Sequence, residues 1–380
     1  MGCGVQPTLA PNKISKPGVG GSGEISPEKE PKTPVRKTVT LVATGDILMH
    51  NTQIASGQQA DGTFRFDTFF APVKSLIQYG DYASTNFEAA MAGRDSGYTG
   101  YPKFNSPDEM AATLKEAGYD LVITANNHIL DRGYPGAIKT MRVLRNAGLD
   151  IVGTYQSQEE KDTYLIKDLG GVRVGYLAYS YGTNGIPVPK EHPYFFNFLN
   201  RETILKDVSN LRPKVDVLVL VLHWGVEYSL QPTADQKELA RIFLEAGVDV
   251  ILGSHPHVIQ PMEVMRINNK DKFVIYSMGN FIGDQRGVER NSGVILNLSF
   301  QKDVNAGETI LKNVSYTPTY SHSYRDNGRL RFRVVDVKAA IRQVQEGRDP
   351  YLKPSDLTVL KQVLAQTQRQ LGTPFNNEEE

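Results

Sequence analysis

Six short runs of this 380-residue chain end in groups that bind metals or move protons. "TVTLVATGD" (38–46) ends in Asp46, "DYASTNFE" (81–88) in Asn86 and Glu88, and "DLVITANNH" (120–128) in Asn127 and His128. "DVLVLVLHWG" (216–225) carries His223, "DVILGSHPH" (249–257) carries His255 and His257, and "FVIYSMGN" (273–280) ends in Asn280. Imidazole nitrogen and carboxylate oxygen are the ligands that Zn²⁺, Mn²⁺ and Fe share, so the expected cofactor is a divalent metal, one or two ions of Mn, Zn or Fe. In hydrolytic sites a carboxylate bridges two cations roughly 3.5–4 Å apart, and Asp46 or Glu88 suits that place. The His-Pro-His spacing suits two nearby ions, because an extended chain points alternate side chains to opposite faces and Pro256 stiffens the link. Each group alone has an ordinary reading, as a turn residue or a packed imidazole, and His50, His192 and His322 are read that way. The case for a site rests on convergence.

Convergence requires particular elements. "MAATLKEAGYDLVITANNH" (110–128), "KTMRVLRNAGLDIVGT" (139–154) and "LARIFLEAGVDVILGSHPH" (239–257) share one pattern: apolar residues at helical spacing, Ala-Gly, an apolar residue, Asp, then a β-branched run. Gly118, Gly148 and Gly247 fit helix stops. Helix followed by buried strand is the α/β signature. If these strands are parallel neighbours, their C-terminal ends lie along one sheet edge, where open α/β proteins bind ligands. The continuous Val/Leu run of 217–222 reads as a strand covered on both faces. The segments 163–180, 272–281, 292–300, 311–322 and 329–337 read as strands joined by short turns, so the fold class is α/β with either one mixed sheet or two packed sheets flanked by helices. Residues 346–380 hold one amphipathic helix, N-capped by Ser355 and expected on the outside, and then an acidic tail.

Lys plus Arg and Asp plus Glu both number 42, which leaves no net field for nucleic acid or an anionic membrane surface. The single cysteine, Cys3, excludes an intrachain disulfide and a Cys-based zinc site. No run reaches the roughly 18–20 apolar residues of a membrane-spanning helix. Residues 1–36 are rich in Gly, Pro, Ser, Lys and Glu, the composition of a disordered tether. Their Gly-Cys pair has two readings: it resembles the start of a bacterial lipoprotein, lipid-anchored at Cys3 with an initiator Met where a signal peptide would stand, or it is a chance cysteine in a tail.

"ATGDILMH", "NFEAAM", "ITANNHILDRG", "LHWGVEY", "GSHPHVIQP" and "YSMGNFI" resemble, in order and spacing, the CapA/PgsA poly-γ-glutamate capsule synthesis family, which is related to the calcineurin-like metallophosphoesterases. The resemblance runs from about residue 38 to about residue 300. It implies a four-layer α/β/β/α sandwich over 37–345, an extracytoplasmic place at the cell surface, an anionic polymer or a phosphorylated or carboxylated substrate, and capsule synthase membrane components as partners. Position by position, it makes Asp46, Glu88, Asn127, His223, His255 and His257 the metal ligands, and His128 the group acting on the leaving oxygen. Two departures stand out. Leu48 occupies the place of a histidine two positions after the first Asp, with His50 the nearest imidazole, and Glu88 replaces an expected Asp.

The function expected first is a metal-dependent hydrolase or transferase of the cell envelope, with His128 as general acid. Asp131 either orients that imidazole or caps the helix beginning near Pro135. Lys103, Arg132, Asn280 and Arg286 are substrate-binding candidates, the cations as clamps for an anionic group or as solvated surface charges. Trp224 either walls the pocket or belongs to the core. Two rival readings are a non-catalytic scaffold or export component that binds an anionic polymer, favoured by Leu48, and a phosphodiesterase with no capsule link.

Overall fold

The structure, a computed structural model, describes residues 1, 2, 4 and 35–377. The lipid-anchor reading of Cys3 lies outside these residues, as do most of the 1–36 tether and the last three residues of the acidic tail. Along the chain, β1 (Arg36–Ile47) is followed by α1 (Asn51–Gly57), α2 (Lys74–Ile77), β2 (Tyr82–Phe87), α3 (Glu109–Ala117), β3 (Leu121–Ile123), α4 (Gly133–Asn146) and β4 (Asp150–Val152). Next come α5 (Gln158–Asp162), β5 (Leu165–Leu169), β6 (Val172–Ser180), α6 (Arg201–Leu211), β7 (Val217–His223), α7 (Ala234–Glu245), β8 (Val250–Ser254), β9 (Met262–Ile267) and β10 (Lys270–Ile275). β11 (Asn280–Ile282), β12 (Ser292–Asp303), β13 (Glu308–Asp326), β14 (Arg329–Asp336), α8 (Val337–Glu346), α9 (Asp356–Leu371) and β15 (Phe375–Asn376) complete it.

The strands form two mixed sheets. One is nine-stranded, in the order β14-β13-β12-β1-β2-β3-β4, with β11 on β1 and β15 on β13; the other runs β5-β6-β7-β8-β10-β9. β1 to β4 are parallel, as are β6, β7, β8 and β10. The strands carrying the polar ends are therefore divided between two sheets instead of sharing one edge.

Side-chain alternation explains how the sheets stack. On β7, Val217, Val219 and Val221 meet Val39, Leu41 and Leu121 of the other sheet, while Leu218, Leu220 and Leu222 meet Ile204, Val208, Phe243 and Leu244 of α6 and α7. On the far side, Val42, Ala83 and Val122 pack on Ile77, Leu114 and Leu144 of α2, α3 and α4. The result is the α/β/β/α order of layers. Gly118, Gly148 and Gly247 stand at the helix ends with φ of +110°, +81° and +123°, as the shared pattern required. No helix among the described residues is long and apolar enough to cross a membrane.

The C-terminal segment is less peripheral than its sequence suggests. α9 buries Leu360, Val363, Thr367 and Leu371, and β15 adds a strand to β13. Ser355 occupies the N-cap position but makes no side-chain cap; instead Lys353 N–H donates to the Asp356 carboxylate at 2.6 Å.

His322 sits at this seam, buried, accepting at Nδ1 from Arg333 Nε (3.2 Å) with Asp356 3.8 Å from Nε2. Burial and the Arg333 charge push its pKa down to about 4. A histidine held neutral in the fold and protonated near 6.5 when unfolded contributes stability that is present above 6.5 and lost as pH falls toward 4. His322→Gln should therefore flatten part of the acid limb, by up to about 3 kcal/mol on the scale of 1.36 kcal/mol per pKa unit. Denaturant unfolding at pH 7, 5.5 and 4.5 checks this; an unchanged pH slope would refute it.

Candidate metal centre

The two sheets are joined at the edge where the polar groups gather. After β10 the chain leaves one sheet, and residues 276–279 carry it across to β11 in the other. Two glycines admit this crossing. A Cβ on Gly253 would lie 1.9 Å from the Tyr276 carbonyl oxygen, and one on Gly45 would lie 1.9 Å from that of Gly279. The Gly279 carbonyl accepts the Asp46 N–H at 2.9 Å, which fixes the first carboxylate.

Around this crossing, Asp46, Glu88, Asn127, His223, His255 and His257 are all buried. Glu88 is 0% exposed, and its Oε1 has no hydrogen-bond partner although His223 Nε2 and His257 Nε2 lie 3.6 and 3.7 Å away. His255 Nδ1 is likewise buried and unpartnered. Asp46 accepts from Asn86 Nδ2 (2.7 Å) and from the His255 N–H (3.2 Å), and its Oδ2 is 3.5 Å from His257 Nδ1. His223 Nδ1 is 2.9 Å from Ser254 Oγ, which leaves Nε2 facing Asn127 Oδ1 at 2.9 Å and Glu88. His257 Nδ1 is 3.0 Å from Asn280 Oδ1, which leaves its Nε2 toward Glu88. Such outer partners orient metal-binding imidazoles.

Two donor sets have ligand atoms within 4.8 Å of one another: Asp46, Glu88 and His223, and Glu88, His255 and His257. Glu88 belongs to both, the position a bridging carboxylate takes. Burial pushes the Glu88 carboxyl well up and, with the neighbouring imidazoles, the His223 ring well down. Burial and His257 take His255 to about 3. Burial also disfavours the charged form of His257, but Glu88 and Asp46 outweigh it and bring its pKa to about 9. A buried cluster of imidazole nitrogens and carboxylates fits a divalent ion, whose binding requires the ligating imidazoles, His257 included, to be neutral.

The His-Pro-His stretch is not extended. His255 and His257 have φ of +94° and +58°, left-handed conformations that cost of order 1–3 kcal/mol each, and a backbone folded in this way lets both rings approach Glu88. Leu48 lies in the core under β11. His50 bonds to Gln53 and packs on Phe104, outside both donor sets.

Beside the cluster a cleft of about 420 Å³ is lined by Lys103, Asn127, His128, Asp131, Asn184 and Glu227, among others. His128 Nδ1 is 2.8 Å from Asp131 Oδ2, which also accepts the Phe104 N–H at 2.7 Å. Of the two readings of Asp131, this is the imidazole-orienting one, since α4 begins at Gly133 with no side-chain cap. Lys103 is exposed at the cleft mouth.

Four substrate-binding expectations are corrected. Trp224 is core, 2% exposed, stacked on Tyr276 and donating to the Tyr276 carbonyl. Arg132 is spent on the loop over the cleft, bonding Thr99 Oγ1 and the Lys103 carbonyl. Asn280 is buried behind His257, donating to the Arg290 carbonyl at 2.6 Å. Arg286 is exposed and does not line this cleft, whereas Arg290 lies 3.6 Å over the Tyr228 ring beside His257. The sequence reading missed Tyr181 and Asn184. They follow β6, a parallel neighbour of β7, so the strand-end rule that located His223 would have found them.

These features define a four-layer sandwich with a buried carboxylate–imidazole centre where its two sheets end together. Residues 40–285 match the family described as bacterial capsule synthesis protein PGA_cap, and the chain belongs to that family. It is 31% identical over 294 residues to the capsule biosynthesis protein CapA of Bacillus anthracis, covering 74% of this chain and 68% of that protein. It is 27% identical over 266 residues to the PGA biosynthesis protein CapA of Bacillus subtilis (strain 168), covering 68% and 67%. Among solved structures, the NAD nucleotidase of Haemophilus influenzae superposes with a TM-score of 0.46 at 11% identity, covering 88% of this chain and 61% of that one. A phosphatase of Mycoplasma pneumoniae gives 0.45 at 16% identity, covering 75% and 94%.

Proposed function

We propose that this protein is a metal-dependent hydrolase or transferase of poly-γ-glutamate capsule biosynthesis, working outside the cytoplasmic membrane, anchored by a lipid at Cys3 and alongside capsule synthase membrane components. The observation that carries the catalytic reading is Glu88: fully buried, unpartnered at Oε1, and shared by two donor sets. The names of the Bacillus relatives support the capsule link.

Asp46, Glu88, Asn127, His223, His255 and His257 would hold one or two ions. When bound, such an ion supplies Lewis acidity toward a phosphoryl or carbonyl oxygen. The chain's own part is acid–base and positional. Asp131 fixes the His128 ring through Nδ1, so that Nε2 is the atom that delivers a proton to the leaving oxygen at the cleft. Lys103, at the mouth, attracts an anionic polymer. Leu48, apolar and in the core, favours the rival scaffold reading, in which the polymer is bound and not turned over.

Asp131→Asn should lower turnover by about 10²-fold or more, the range set by general acid catalysis, while leaving metal content unchanged; loss of metal together with activity would instead make Asp131 a structural support. The function itself is tested on protein stripped of metal and reloaded with Mn²⁺ or Zn²⁺, assayed with poly-γ-glutamate and with a generic phosphodiester. Metal-dependent cleavage or ligation of the polymer, lost in His257→Ala, is the expected result. Polymer binding without metal-dependent chemistry would establish the scaffold, and phosphodiester turnover alone a phosphodiesterase.

A further inference from the structure

We propose that Tyr181 and Asn184, on the loop after β6, form a hydrogen-bonding wall that holds an anionic substrate oxygen beside the metal centre. This deepens the reading of the cleft as a metal-dependent site and rests on it. The Tyr181 N–H donates to the His223 carbonyl at 3.0 Å, and its ring lies parallel to His223 at 6.1 Å and tilted on His255 at 4.5 Å. Tyr181 thus covers two candidate ligands while remaining 47% exposed. Its hydroxyl accepts from Asn127 Nδ2 at 3.1 Å, and its own proton has only a long 3.4 Å contact, to Asn184 Oδ1.

Asn184 shows the same incomplete pairing. Its Oδ1 accepts from Asn127 Nδ2 at 3.0 Å, but its Nδ2 stands 3.5 Å from both ring nitrogens of His128. A donor equidistant from Nδ1 and Nε2 lies over the ring and not along a lone pair, so it makes no directed bond. Two polar donors on exposed residues therefore flank Asn127 and His128 with no short protein acceptor among the described residues, on the face where a developing negative charge would need them. The loop is built for this placement: Asn184 and Gly185 have φ of +51° and +75°, and Thr183 Oγ1 ties the turn to the Ile186 carbonyl at 2.6 Å. Asparagine tolerates that conformation better than most residues.

The test uses inorganic phosphate as probe and Mn²⁺-loaded protein, with calorimetry for affinity and elemental analysis for metal content. Tyr181→Phe keeps the ring and removes the donor; Asn184→Gly keeps the backbone conformation and removes the amide. Each should weaken phosphate binding about 10-fold, the scale of one hydrogen bond to a charged group, with metal per chain and thermal midpoint unchanged. Unaltered phosphate affinity in both variants overturns the proposal while leaving the metal site standing, as does a wild type that binds Mn²⁺ but not phosphate. Loss of Mn²⁺ in Tyr181→Phe overturns it too, since the residue would then serve the ligands and not the substrate. A wild type that binds no metal removes this inference and the proposed function together.

Discussion

Glu88→Gln should abolish divalent-metal binding at micromolar concentrations and lower metal-dependent turnover by more than the 10- to 100-fold typical of losing an outer-shell partner. The substitution keeps the shape of the side chain and removes one negative charge from the point common to both donor sets, with His223 Nε2 at 3.6 Å and His257 Nε2 at 3.7 Å. In a buried setting that charge is what offsets the dehydration of the cation; without it the set with His255 and His257 keeps no carboxylate, and the set with His223 keeps only Asp46. A second readout needs no substrate. Metal at 100 times its Kd should stabilise the wild type by about 2.7 kcal/mol, seen as a rise in thermal midpoint, and should leave Glu88→Gln unmoved. An equal shift in both proteins would show that the ion sits elsewhere.

Gly45→Ala should cost about 3 kcal/mol or more, at or beyond the usual range for forcing extra atoms into a packed interior. The intruding Cβ would lie 1.9 Å from the Gly279 oxygen and 3.0 Å from that of Met278, and a backbone contact of that kind cannot be relieved by turning a side chain. The strand would have to part from residues 278–279, which breaks the bond between the Asp46 N–H and the Gly279 carbonyl and displaces the first carboxylate. Stability and metal affinity should thus fall together. Gly253→Ala meets the Tyr276 oxygen at the same 1.9 Å from the other sheet and should behave alike. Denaturant midpoints with and without Mn²⁺ decide it; near-wild-type stability in both variants would mean the crossing segment has slack that the packing does not show.

What the sequence made legible was set by which residues speak for themselves. An apolar run closed by Asp46, Glu88, His128 or His223 announces a strand delivering a polar group, but the one shared edge expected of them is instead the adjoining ends of two sheets. The division of those strands between two sheets was not legible from pattern, because β7 and β1 are buried on both faces and their runs do not say which neighbour each face meets. The strand pattern left one mixed sheet and two packed sheets flanked by helices both open, and the resemblance chose between them. The local conformation of His255 and His257 was misread because positive φ at a histidine is imposed by tertiary contacts, against its own preference. Asn280, Arg132 and Trp224 lie close to the ligands in sequence or space, yet their hydrogen bonds go to a candidate ligand, to the loop over the cleft and to the core. Tyr181 and Asn184 escaped notice for the opposite reason: "YGTNG" has the composition of an ordinary turn, so its place just after a strand carried no chemical signal until its contacts to Asn127 and His128 were seen.

The most direct measurement is an anomalous difference map from crystals of the protein loaded with Mn²⁺ or Zn²⁺. The expected result is one or two peaks enclosed by Asp46, Glu88, Asn127, His223, His255 and His257, with ligand distances near 2.0–2.3 Å. A map with no peak among these side chains, taken from protein whose metal content is established, would contradict the proposed centre and everything assigned to it.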